Sequence, residues 1–215
     1  MNIAIILAAG SGTRFKSEIP KQFIEIGNKR IIDYSIDAFK ESKLIDKIII
    51  VVSKQFINEI SKKYPNDIVV EGGASRRESS YNGLLSCPEG SQKILIHDAA
   101  RPFVSQRIIL SCIDALDVYK AVVTSISVTD TIIKVSDVYV LEVQDRDKLF
   151  LNQTPQGFEY NTIMKAHENS MEKATDDISL LKLNEIKCKI VKGSPKNIKI
   201  TNSTDIHTAK SILNL

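Results

Sequence analysis

The chain opens with Asn2-Ile3-Ala4-Ile5-Ile6-Leu7-Ala8-Ala9-Gly10-Ser11-Gly12-Thr13-Arg14. From Asn2 to Ala8 the run is almost unbroken in apolar character, so as a strand it has no solvent face and needs cover on both sides. A buried strand that runs directly into a turn of small residues is how a parallel α/β unit begins, and in such sheets ligands collect at the carboxyl ends of the strands. Small residues let a backbone approach a ligand closely, and their turning N–H groups can form an anion-binding concavity. Two familiar phosphate loops are excluded. A dinucleotide fingerprint needs a third glycine where Phe15 stands, and no Gly-Lys-Ser/Thr string of the Walker type occurs.

Outward from this stretch, short β-branched runs alternate with helical spacings. Strands are expected at Lys47 to Ser53, Asp67 to Glu71, Lys93 to His97 and Ala121 to Val128. Helices are expected at Arg30 to Ser42, Gln55 to Tyr64, Ser75 to Ser86 and Gln106 to Val118. The pattern predicts an α/β fold with a largely parallel sheet and helices on both faces. It breaks between Asp130 and Gln153, where Thr131 to Val135 and Tyr139 to Val143 flank Ser136-Asp137-Val138 and predict a hairpin. That hairpin reads either as a plain edge element or as a projecting arm that exchanges between subunits. Beyond it, helices are expected at Glu159 to Met171, Asp177 to Asn184 and Ser203 to Leu213, with strands at Lys187 to Val191 and Asn197 to Thr201. No repeat or linker is visible. One domain over residues 1–215, with an arm at about 130–153, is the expectation.

Composition narrows the function. With 215 residues, 43% of them hydrophobic, the chain can bury a core without staples. Lys and Arg number 29 against 26 acidic residues, a balance that argues against nucleic-acid or membrane binding by bulk charge. The apolar runs are too short to span a bilayer, and the start lacks a secretory pattern, so a soluble cytoplasmic protein is expected. Cys87, Cys112 and Cys188 are far apart, and the three histidines lack ligand spacing. Zinc and disulfide frameworks are therefore not expected.

The polar motifs sit after the strands. Arg14 offers a planar fork and Lys21 a mobile point charge, which together suit a triphosphate; a glycine turn with two solvated cations is the alternative. Gly72-Gly73-Ala74-Ser75-Arg76-Arg77-Glu78-Ser79 could hold a base or ribose, or could be a turn with Ser75 as helix cap. In His97-Asp98-Ala99-Ala100-Arg101-Pro102, Asp98 stands where an aspartate can hold Mg²⁺ beside phosphates, unless it is only salt-bridged to Arg101. Arg146, Thr154, Thr175 and Lys199 could grip a phosphorylated substrate, although Thr175 also reads as a helix cap. Lys199 is expected in a strand, facing away from Ile198 and Ile200. Asp205 is either a second metal ligand or the acid that opens the last helix.

Taken in order, Leu-Ala-Ala-Gly-Ser-Gly-Thr-Arg, Pro-Lys-Gln, His-Asp-Ala-Ala-Arg-Pro, Thr-Pro-Gln and Asn-Ile-Lys-Ile-Thr resemble the 2-C-methyl-D-erythritol 4-phosphate cytidylyltransferases from about Ile3 to the C-terminus. Two departures are Ala74, where members often carry an acid, and Asp177, where Glu is frequent. The resemblance implies a Rossmann-like fold and a homodimer dependent on Mg²⁺ or another divalent cation. It implies that CMP passes from CTP to a polyol phosphate. Carried over by motif, Ala8, Ala9, Gly10, Gly73, Arg76 and Ser79 would contact the nucleotide. Arg14, Lys21 and Lys199 would surround its phosphates, and Asp98 would sit by the metal. Ala99, Arg101, Thr154 and Thr175 would meet the acceptor, as would Thr131 and Arg146 from the partner's arm. A ribitol 5-phosphate cytidylyltransferase is the nearest alternative, and a non-catalytic nucleotide-binding module a distant one. A nicotinamide dehydrogenase fails at Phe15.

Overall fold

The computed structural model describes residues 1–10, 19–169, 176–183 and 185–215; of residues 182 and 183 it describes only the backbone. The first strand, β1 (Asn2–Ala8), is followed by a small hairpin, β2 (Glu25–Ile26) and β3 (Lys29–Arg30), and then by α1 (Ile31–Lys40). Next come β4 (Lys47–Val52), α2 (Ile57–Lys63), β5 (Ile68–Glu71), α3 (Arg76–Leu85), β6 (Lys93–Asp98), α4 (Gln106–Ala115) and β7 (Ala121–Ser127). A second hairpin, β8 (Ile133–Ser136) and β9 (Tyr139–Val143), precedes the long β10 (Phe150–Glu159). The chain continues through α5 (Tyr160–Glu168), α6 (Asp177–Leu183), β11 (Lys189–Lys192) and α7 (Ser203–Ile212).

Seven strands form one sheet in the order β11-β7-β10-β6-β1-β4-β5. β1 lies parallel between β4 and β6, with Ala8 opposite Val52 and Leu7 opposite Asp98. Only β10 is reversed, pairing antiparallel with both β6 and β7. The unbroken apolar runs do what their pattern requires, because successive side chains alternate between the two faces. Ala4 and Ile6 pack with Ile32, Ile36, Phe39 and Ile108 on one side. Ile3 and Ile5 pack with Leu84, Phe158, Ile163 and Leu180 on the other. Burying each large aliphatic side chain contributes about 1.5–3 kcal/mol, so the central strands are held from both faces. A third cluster, Ile26, Ile31, Ile200 and Ala209, ties α7 to the small hairpin.

Three features depart from the sequence expectations. The sequence does not mark β10 as a strand, because Pro155 interrupts a stretch with little apolar alternation. The sheet admits it through a register shift between Asn152 and Gln156, where the missing N–H of Pro155 falls. The strand expected at Asn197 to Thr201 is irregular chain instead; its one sheet-like bond runs from Ile200 N–H to Ala100 O at 2.9 Å. The β2–β3 hairpin turns at Gly27, whose φ of +64° needs glycine, and two strands of two residues leave no periodicity to read. The helices otherwise begin where expected and stop up to a turn early.

Candidate active site

The carboxyl ends of β1 and β6 open into a cavity of about 460 Å³. Its walls include Ala8, Ala9, Gly10, Lys21, Gly73, Arg76, Ser79, Asp98 and Lys199. Three cations thus face one carboxylate among the described residues. The volume lies within the usual range for small-molecule sites.

Local chemistry fixes each wall. Gln22 Nε2 donates to Ala8 O at 2.6 Å and to Gly10 O at 2.9 Å, which pins the chain leaving β1. Lys21 Nζ donates to Ile200 O at 2.6 Å, so its ammonium is held at the mouth. Gly72 lets the second loop approach the first: a Cβ there would lie 2.2 Å from Ala9 Cβ. Ser75 caps α3 by accepting from Glu78 N–H at 3.1 Å, and Glu78 reaches back to accept from Ala74 N–H at 2.7 Å. Ser79 Oγ accepts from Gly73 N–H at 3.1 Å and donates to Ser75 O at 2.9 Å, so it shapes the glycine turn.

Asp98 ends β6 at the floor. Lys199 Nζ donates to its Oδ2 at 2.6 Å, and Arg76 Nε to its Oδ1 at 3.3 Å. Burial alone would raise its pKa, but the charges of Arg76 and Lys199 outweigh that and hold it well below the usual carboxylate range. For Arg76, burial opposes the charge, yet Asp177 and Asp98 raise its pKa. The backbone of Asp98 is braced from below. Its N–H donates to Thr154 Oγ1 at 3.1 Å. His97 Nδ1 lies 3.0 Å from that hydroxyl, and His97 Nε2 lies 3.0 Å from Arg101 O. A carbonyl carries no proton, so Nε2–H donates to Arg101 and Nδ1 accepts from Thr154. Burial pushes the His97 pKa down to about 4, so the ring is neutral and serves as a brace.

Ala8, Ala9, Gly10, Lys21, Gly73, Arg76, Ser79, Asp98 and Lys199 are brought together at one cavity. Other expected residues lie elsewhere. Ala99 is fully buried among the core residues on the α1 and α4 face. Thr154 lies beneath the cavity with its hydroxyl committed to Asp98 and His97. Arg101 sits to one side, donating to Asn197 O at 2.9 Å and Asn152 O at 3.3 Å. Thr131 and Arg146 flank the hairpin, exposed and outside the cavity of their own chain. Arg14 and Thr175 lie outside the described residues. Asp205 caps α7, its Oδ2 accepting from Thr201 N–H, Thr201 Oγ1 and Asn202 N–H. Sequence reasoning assigned no role to Gln22, His97 or Asp177. Gln22 and His97 stood inside quoted motifs, but their bonds run to groups far along the chain or to carbonyls, which leave no sequence mark.

The family model for 2-C-methyl-D-erythritol 4-phosphate cytidylyltransferase (IspD) matches residues 2–215. A relative of that name from Clostridioides difficile is 42% identical over 224 residues, covering 100% of this chain and 94% of the relative. One from Clostridium acetobutylicum is also 42% identical, covering 99% and 97%. Among solved structures, the 4-diphosphocytidyl-2C-methyl-D-erythritol synthase of Anaerococcus prevotii superposes with a TM-score of 0.89 at 34% identity, over 100% of this chain and 96% of that one. The Francisella tularensis cytidylyltransferase gives 0.83 at 32%, over 98% of each. With a cationic cavity at the strand ends and the match running end to end, this chain belongs to the 2-C-methyl-D-erythritol 4-phosphate cytidylyltransferase family.

Proposed function

We propose that the protein transfers CMP from CTP to 2-C-methyl-D-erythritol 4-phosphate, forming 4-diphosphocytidyl-2-C-methyl-D-erythritol and pyrophosphate in non-mevalonate isoprenoid synthesis. The family match over residues 2–215 carries this reading. An oxygen of the acceptor phosphate bonds to the α-phosphorus of CTP, and the bond to the bridging oxygen breaks as pyrophosphate leaves. The acceptor phosphate is largely ionised at neutral pH, so no general base is required. The neutral, doubly hydrogen-bonded His97 agrees with that. Catalysis is then positioning and charge stabilisation.

In this reading Ala8, Ala9, Gly10, Gly73, Arg76 and Ser79 hold the nucleotide, while Arg14, Lys21 and Lys199 meet its phosphates. Among the described residues no three acidic, histidine or cysteine side chains could cage a metal. A single carboxylate still fits Mg²⁺, which commonly rests on one or two carboxylates plus substrate phosphates. Asp98 would hold it, and the ion would neutralise charge developing on the phosphates. Lys199 pairs with Asp98 in the free protein; as it turns to the phosphates it gives that carboxylate up.

The hairpin belongs to the same reading, within one unit spanning 1–215. Val138, Tyr139, Leu141 and Val143 are exposed there, an apolar arm that the described residues of its own chain leave uncovered. A homodimer would cover it and bring Thr131 and Arg146 to the partner's cavity, with Ala99, Arg101, Thr154 and Thr175 on the acceptor side of each site. No helix among the described residues is long and apolar enough to cross a membrane, in keeping with a cytoplasmic enzyme. Pyrophosphate release from CTP and Mg²⁺ tests the function, with 2-C-methyl-D-erythritol 4-phosphate and D-ribitol 5-phosphate compared side by side. Turnover of the first alone is expected. Turnover of ribitol phosphate alone would move the protein to polymer assembly, and turnover of neither would overturn the catalytic reading.

A further inference from the structure

One charged group behind the cavity takes no part in the steps above. Asp177, the first residue of α6, is 1% exposed. It accepts from Arg76 Nη1 at 2.7 Å and from Ser80 Oγ at 2.7 Å. His167 Nε2 stands 3.3 Å from its Oδ1, without hydrogen-bond geometry. From the core to the mouth, charges therefore alternate through Asp177, Arg76, Asp98 and Lys199.

The two bonds of Arg76 are unequal. A length of 2.7 Å is that of a strong charge-assisted hydrogen bond, whereas the 3.3 Å to Asp98 lies beyond that range. The guanidinium is anchored on Asp177 and only rests against Asp98. Its Nη2 is buried and has no hydrogen-bond partner among the described residues. That nitrogen lies beside Nε on the edge of the guanidinium that faces Asp98, so the second tine of a bidentate fork is available.

Resting on the cytidylyltransferase reading, we propose that Asp177 is a positioning residue that holds Arg76 at the nucleotide wall and keeps it from closing as a fork on Asp98. Take away the Asp177 charge and Asp98 becomes the remaining carboxylate partner of the guanidinium. Fork pairing would then withdraw Arg76 from the nucleotide and Asp98 from the metal together.

The test uses the full chain carrying Asp177→Asn, with Asp33→Asn as the control for simple loss of stability. Asp33 is 5% exposed and accepts from Lys63 and Tyr64, none of which lines the cavity. Binding of Mn²⁺ with CTP is followed by electron paramagnetic resonance, beside melting curves and steady-state kinetics. Asp177→Asn is expected to weaken Mn²⁺·CTP binding on the order of 10–100-fold, as loss of a group orienting a metal ligand does, and to raise KM for CTP more than it lowers kcat. Asp33→Asn should lower the melting temperature and leave binding alone. Wild-type binding by Asp177→Asn, or equal weakening by Asp33→Asn, would overturn the role. Should Asp177→Asn fail to fold, Ser80→Ala keeps the charge but frees one side of it; a smaller shift in the same direction is expected, and no shift overturns the proposal. A wild-type protein that binds Mn²⁺·CTP but turns over no polyol phosphate would sink the function instead, leaving the positioning role to the binding shift.

Discussion

The side of the sheet formed by β5, β4, β1 and β6 and the side formed by β10, β7 and the β8–β9 hairpin satisfy their side chains in opposite ways. On the first side, apolar residues are buried on both faces and the charges at the strand ends are paired within the chain. On the second, β10 carries buried polar residues such as Gln153, Thr154 and Gln156, and the hairpin leaves its apolar residues open. One side is complete in a single chain. The other leaves an apolar arm exposed, which the proposed second copy would cover. A contrast of this sort makes separable claims: cavity variants should act within their own chain, and hairpin variants across chains.

The largest expected effect is at Lys199. Lys199→Met should lower turnover on the order of 10²–10³-fold, the cost of removing one preorganised charge from a transition state. Binding of CTP should fall far less, because Arg76 and Lys21 remain. A steady-state comparison checks this, and a variant within a few-fold of wild type would remove Lys199 from the phosphate-handling set.

The hairpin is expected to act in trans. Arg146→Ala should lower turnover on the order of 10²-fold while leaving its own cavity intact, since the side chain is exposed and, among the described residues, bonds to Thr129 O at 3.2 Å. Mixing unfolded Arg146→Ala and Lys199→Met chains and refolding them together should then restore activity. In a two-fold dimer, half of the mixed molecules would be heterodimers with one intact site each, about a quarter of wild-type turnover. Recovery of nothing would place Arg146 in cis or outside the site and break the comparison between the two sides.

These two sides were also unequally readable in the sequence. The parallel half announces itself because each of its strands is an unbroken apolar run followed by small or charged residues, and burial on both faces leaves no other reading for Ile3 to Ala8 or Ile48 to Val52. β10 does not, since a strand that braces a site with Gln153, Thr154 and Pro155 loses the alternation that marks strands elsewhere. The cations and Asp98 were readable through their motifs. The brace beneath Asp98 was not, because His97 and Thr154 meet only through the pairing of β6 with β10. In the sequence Asp177 shows only as the start of a helix and a departure from the family's Glu; that it faces Arg76, 101 residues away in the chain, is a product of packing.

The brace itself is testable through pH. Neutral His97 is buried with its pKa near 4, against about 6.5 in the unfolded chain. Between those values the unfolded state binds the extra proton, so stability falls as pH falls from 6.5 to 4, by on the order of 3 kcal/mol. His97→Gln, which cannot titrate, should flatten the melting temperature against pH across that window, whatever it costs at pH 7. Asp98 and Asp177, whose carboxyl pKa values are depressed, act at lower pH: their contribution is present above about 4 and fades as pH falls below it. An unchanged slope between 6.5 and 4 in His97→Gln would mean that His97 is charged in the folded protein.

The smallest effect separates a helix cap from a metal ligand. Asp205 and Asn202 form reciprocal bonds at the start of α7, Asn202 Oδ1 accepting from Asp205 N–H at 3.1 Å and Asp205 Oδ2 from Asn202 N–H at 3.0 Å. The same oxygen takes two bonds from Thr201, so three donors already meet it, and a metal there would have to strip the cap that holds the chain just after Lys199. Asn202→Ala should therefore cost about 1 kcal/mol, the usual value of an N-cap, with no change in the Mg²⁺ concentration needed for half-maximal turnover. Asp205→Asn should behave in the same way, losing stability through the weaker acceptor at the helix N-terminus. If Asp205→Asn instead raised the Mg²⁺ requirement tenfold while Asn202→Ala did not, the carboxylate would be serving the metal beside the ligand proposed at Asp98. The matched pair of variants distinguishes the two, because both weaken the cap and only one removes the charge.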